Sequence, residues 1–110
     1  MTFAPIRFDA ETLVRLRRDL MRRGHVLATL LAEVLAGKRP PSVMALLVAR
    51  PGLRPEEAVR QTLDQVEGRR KLLDAGDDRF GRCDICALDL GMPALGEMAW
   101  ADRCPAHAAV

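Results

Sequence analysis

Aromatic residues are scarce in this chain of 110 residues, which has one Trp, three Phe and no Tyr. A core must therefore be built from Leu, Val and Ala, and single-stranded nucleic acid would find few rings on which to stack its bases. Lysine is nearly absent too, with two Lys against fifteen Arg. No run approaches the ~18–20 consecutive apolar residues of a membrane span. The start, Met1-Thr2-Phe3-Ala4-Pro5, lacks a basic stretch followed by an apolar core, so no secretory signal is expected. No Ser/His/Asp set, phosphate-cradling glycine loop, internal repeat or low-complexity tract stands out. The segment from Lys38 to Arg54 contains no Asp or Glu.

What is present is ordinary for a globular chain: 49% apolar and 29% charged residues, with a formal net charge of +2. The charge is uneven, +6 over residues 1–54 and −4 over 55–110. An acidic or polyanionic partner would suit the first half. Length allows a single domain.

Three helices are predicted. Asp9 is a good N-cap for the first, and Leu13, Leu16, Leu20, Leu27, Leu31 and Val34 share one face to about Ala36. Arg15, Arg18 and Arg22 lie opposite. Gly37 and then Pro40-Pro41 stop this helix. Ser42 is expected to cap a short helix over 42–50. Its apolar run, with Val43, Leu46 and Leu47, is either buried or a contact surface for a partner; a buried strand would also fit. Pro55-Glu56-Glu57 begins the third helix, which runs to about Ala75 on the stripe Val59, Leu63, Val66 and Leu73. Glu56–Arg60 and Glu67–Lys71 are expected as i,i+4 pairs. Phe3, Ile6 or Phe8 would pack onto the helices from an irregular lead. Two helices of this length, joined through the middle segment, should pack antiparallel as a hairpin.

The last third carries the chemistry. Cys83-Asp84-Ile85-Cys86 is followed, after seventeen residues, by Cys104-Pro105-Ala106-His107. Two ligand pairs at this separation form a zinc-site pattern that uses every cysteine in the chain. Three thiolates and an imidazole complete a tetrahedron, leaving no open position for water. A structural zinc ion, and no enzyme activity, is the expectation. Thiols of this kind fit a reducing cytoplasm. The fold class expected is all-α, with a hairpin arm over 1–76 and a small zinc module over 77–110. Zinc binding should supply much of the module's folding energy.

Phe80-Gly81-Arg82-Cys83-Asp84-Ile85-Cys86, with Leu90-Gly91, Leu95 and Cys104 at matching places, resembles the finger of the bacterial DksA/TraR zinc-finger proteins. The resemblance covers about Val66–His107. Ala87 stands where that family has Gly, Ala94 where it has Arg, and Met98-Ala99 where Arg-Pro is common. His107 stands where it has a fourth cysteine. The sequence ends three residues after His107, so the family's C-terminal helix is not expected. The resemblance implies a transcription regulator that binds RNA polymerase by inserting a helical hairpin, whose acidic tip reaches towards the catalytic magnesium. No residue of 38–54 can supply that tip, and Glu56 and Glu57 are the nearest substitutes. Two alternatives follow from the residues themselves. One is DNA or RNA binding through Arg15, Arg18 and Arg22, with zinc holding the fold. The other is protein interaction or homodimer formation through Val43, Leu46 and Leu47.

Overall fold

The computed structural model describes residues 8–108. Within them the chain forms four α-helices and one short 3₁₀ turn, with no strand. The helices are α1 (Ala10–Leu35), α2 (Pro41–Ala49), α3 (Pro55–Asp74) and α4 (Gly91–Glu97), and the turn is Pro105–His107. Among the described residues no helix is long and apolar enough to cross a membrane. The lead residues Phe3 and Ile6 lie outside the described residues. Phe8 packs edge-on against Phe80, with ring centroids 6.0 Å apart.

Local chemistry fixes the ends of α1 and α3. The Asp9 carboxylate accepts the Thr12 N–H at 2.7 Å, which satisfies a free donor of the first turn. That bond holds the Asp9 carboxyl below its usual value of 3.8. At the other end Gly37 takes φ +86°, its N–H donates to the Val34 carbonyl, and Lys38 N–H donates to Glu33. Gly76 closes α3 in the same way, at φ +66°, with Asp77 N–H reaching back to Leu72. Both positions need a left-handed residue, and Gly takes that conformation without a Cβ penalty. Ser42 is not the cap of α2: the helix starts one residue earlier, with Pro40 at the cap and Pro41 in the first turn. Proline at that place loses no bond, because the first N–H groups of a helix have no internal partner.

The partners of α1 and α3 descend along one helix as they rise along the other. Arg17 pairs with Asp74, Gly24 lies beside Val66 and Glu67, and Val34 clusters with Val59. One core holds Leu16, Leu20 and Leu27 of α1, Val66 of α3, Phe80, Leu95 of α4 and Ala99. A second holds Leu30, Val34, Val43 and Val59. Full burial of each such Leu, Val or Phe side chain stabilises the fold by about 1.5–3 kcal/mol.

The apolar stripe of α1 is thus rotated slightly from expectation. Leu30 is buried, Leu31 is only half-buried, and Leu13 is exposed. The expected Glu67–Lys71 pair is replaced by Glu67–Arg70 at 2.7 Å, because Arg70 sits between Glu67 and Asp74 and bonds both. Helix α4 was not anticipated. The Asp89 carboxylate accepts the Gly91 N–H at 3.0 Å just ahead of it.

Candidate metal centre

Two tight turns build the site. The first follows Gly81. Cys83 N–H donates to the Leu88 carbonyl at 2.8 Å, Ala87 N–H donates to Cys83 at 2.9 Å, and Leu90 N–H donates to Gly81 at 2.9 Å. An isolated antiparallel bridge between Arg82 and Asp89 closes the base of this turn. Its sharp bend requires φ +63° at Ala87, the one non-glycine residue with a positive φ among the described residues. The second turn is the 3₁₀ segment, in which His107 N–H donates to Cys104 at 2.9 Å. Asp84 N–H donates to the Asp102 carbonyl at 2.8 Å and ties the two turns together.

These bonds bring Cys83, Cys86, Cys104 and His107 together, with one ligand atom from each lying within 4.8 Å of all the others. A tetrahedral ion with metal–sulfur bonds of ~2.3 Å and metal–nitrogen bonds of ~2.0 Å would set sulfurs ~3.8 Å apart and sulfur and nitrogen ~3.5 Å apart. The Cys86 and Cys104 sulfurs are 3.7 Å apart. His107 Nδ1 lies 3.6 Å from the Cys83 sulfur and 3.2 Å from that of Cys104. The donor set therefore fits a single tetrahedral metal ion, with Nδ1 as the ligand atom of His107.

The electrostatics agree with that reading. Burial opposes the Cys83 thiolate, but backbone N–H groups of Cys104, Cys86 and Ile85, with the Cys86 side chain, outweigh it and bring the thiol down to about 6. Cys86 moves the other way. Leu88 N–H favours its thiolate, yet burial and the Cys104 and Cys83 sulfurs push the thiol up. Adjacent thiolates repel one another, and a bound cation removes that repulsion. Cys83 and Cys104 are buried, His107 is half-buried, and Cys86 forms the solvent edge.

A residue that sequence reasoning passed over anchors the site to the helices. Arg69 of α3 is 4% exposed. It pairs with Asp84, inside the first ligand turn, and donates to the Arg79 carbonyl at 3.3 Å. The signal was present: Arg69 follows Val59, Thr62 and Val66 at steps of three and four, on the buried stripe of α3. A second tether is Gln65, whose amide donates to the Trp100 carbonyl at 3.2 Å. Trp100 in turn stacks beneath the Arg23 guanidinium, 5.1 Å from its ring centroid.

The other candidates are dispersed. Glu56 and Glu57 occupy the first turn of α3, where Glu56 pairs with Arg60 at 2.8 Å and Glu57 with Arg54 at 2.6 Å. Arg15, Arg18 and Arg22 are exposed on α1, and none forms an ion pair among the described residues. Val43 is fully buried against Leu30, Val34 and Val59, the first of the two alternatives expected for it, and so offers no contact surface. Leu46 and Leu47 are half-buried against the same core. The outward apolar side chains of α2 are Met44 and Val48. His25 is exposed. No family model matches the chain, and neither a curated protein nor a solved structure matches it.

Proposed function

We propose that this chain is a transcription regulator of the DksA/TraR type, in which a helical hairpin carried on a structural zinc finger binds bacterial RNA polymerase. The observation that carries the reading is the four-ligand cluster of Cys83, Cys86, Cys104 and His107. It falls within the stretch that resembles that family's finger, beside a long α1–α3 pair. Zinc is the ion this donor set favours, because thiolates and imidazole at tetrahedral spacing are its usual ligands. With all four positions taken by protein, the ion shapes the fold and activates no water. The hairpin tip offers Lys38, Arg39 and Arg50 in place of acids. Glu56 and Glu57 are already held by arginines. The contact with polymerase would therefore differ from an acidic tip reaching a magnesium site.

A second reading has its own support. Arg15, Arg18 and Arg22 face solvent on one side of α1 without ion pairs among the described residues, as a phosphate-contacting stripe would. One experiment separates the two. Zinc-loaded protein is titrated against bacterial core RNA polymerase and, separately, against duplex DNA across a salt series. Saturable polymerase binding that a known secondary-channel factor displaces supports the regulator. Steeply salt-dependent DNA binding without polymerase binding replaces it with the nucleic-acid reading.

A further inference from the structure

Helix α2 is nine residues long and contains no charged side chain; its one polar residue is Ser42. A helix apolar on all sides is normally covered on all sides. Here only the inner side is covered: Val43 is buried, and Leu46 and Leu47 are half-buried. The outer side is a ridge of Pro41, Met44, Ala45 and Val48, all exposed, with Met44 at 57% and Val48 at 80% exposure. Their spacing, i, i+3, i+4 and i+7, is that of helices that lay one face into an apolar groove.

The surroundings of the ridge state the charge of what covers it. Lys38, Arg39 and Arg50 flank α2. Arg39 donates to the Val34 and Lys38 carbonyls, and Arg50 donates to the Gln61 and Gln65 side chains. These acceptors are neutral, and none of Lys38, Arg39 and Arg50 forms an ion pair among the described residues. With no acid from Lys38 to Arg54, the exposed Lys38 and Arg39 border the start of the apolar ridge, while Arg50 turns inward onto α3. A second copy would set these cations against their like, which opposes self-association. A lipid surface is disfavoured by the absence of any Trp or Phe on α2. An apolar groove rimmed by carboxylates satisfies both the ridge and its border.

We infer that the Pro41–Met44–Ala45–Val48 ridge of α2 is a docking element for an acid-rimmed apolar groove on RNA polymerase. The choice of polymerase rests on the function proposed above; the ridge and its charge do not. The test compares wild type, a Met44→Asp/Val48→Asp double variant and Lys38→Glu for binding to core polymerase at several salt concentrations. Zinc content and melting temperature serve as fold controls, since all three side chains are exposed. The expected result is at least a ten-fold loss of affinity in the double variant and a shallower salt dependence in Lys38→Glu. Undiminished binding by the folded double variant overturns the ridge and leaves the regulator standing. Failure of wild type to bind polymerase removes the regulator and this occupant together. A ridge-dependent dimer in light scattering, or ridge-dependent flotation with phosphatidylglycerol vesicles, overturns the inference in favour of those partners.

Discussion

Replacing Ala87 with glycine should tighten metal binding, although it removes an atom from a well-formed turn. Ala87 holds φ +63° in the bend between Cys86 and Leu88. A left-handed backbone costs an L-residue about 1–2 kcal/mol. Glycine relieves that cost but loses more chain freedom on folding, which takes back about 0.4–1 kcal/mol. The net gain for Ala87→Gly is therefore about 0.5–1 kcal/mol. The same turn brings Cys83 and Cys86 to the ligand cluster, so site formation and metal binding would draw on one free energy. The gain should appear as an affinity about two- to five-fold higher, since each 1.4 kcal/mol is a factor of ten. Competition for Zn²⁺ against a chromophoric chelator measures this directly. Ala87→Val supplies the opposite perturbation, because a β-branched residue is strained further in this region. The expected order of affinity is Gly, Ala, Val. A glycine variant that binds zinc no more tightly than wild type would refute the claim that Ala87 is strained.

Other substitutions test separate parts of the argument. Cys83→Ser should leave less than one zinc per chain and lower the melt; a full equivalent with an unchanged melt would exclude Cys83 as a ligand. Arg69→Met should destabilise the protein by about 1–3 kcal/mol in urea, because it removes charge-assisted bonds to the ligand turn while keeping the apolar stem. Gly68→Ala should stabilise by about 0.8–1 kcal/mol, since Gly68 lies inside α3 and a new Cβ meets no atom within 4 Å. Asp77 is held at about 2 by the side chain and N–H of Arg79. A carboxyl depressed in the folded state stabilises above its unfolded value of 3.8, and that stabilisation drains as pH falls towards about 2. Asp77→Asn should accordingly narrow the difference in urea midpoint between pH 5 and pH 2.5.

The helix ends were legible because proline and glycine mark them chemically: Pro55 starts α3, and Gly37 and Gly76 close α1 and α3 where a left-handed residue is needed. The ligand set was legible because the spacing of Cys83, Cys86, Cys104 and His107 leaves few other ways to use them. The edge of the α1 stripe was not. Leu13, Leu30 and Leu31 all lie near the apolar face, and which one is buried depends on how α3 and α2 press against it. Helix α4 was missed because it is seven residues long and no side-chain cap marks its start. Arg69 was passed over because a charge on an apolar stripe reads as an interruption, and its partner Asp84 is distant in sequence. Periodicity was silent on α2, whose run of apolar residues has no polar side to say which way it faces.

The core shared by Leu16, Leu20, Val66, Phe80, Leu95 and Ala99 joins the ligand turns to the middle of the helices. Its genetic consequence is that distance from the four-ligand cluster would not sort mutants by phenotype. In a random library screened only for metal retention, lesions at Leu16 or Leu20 should be recovered beside lesions at the cysteines, although α1 contributes no ligand. Lesions at Val34 or Val59, in the second cluster, should pass the same screen. The map of sensitive positions would then trace the boundary between the two cores, which the linear order of the chain conceals.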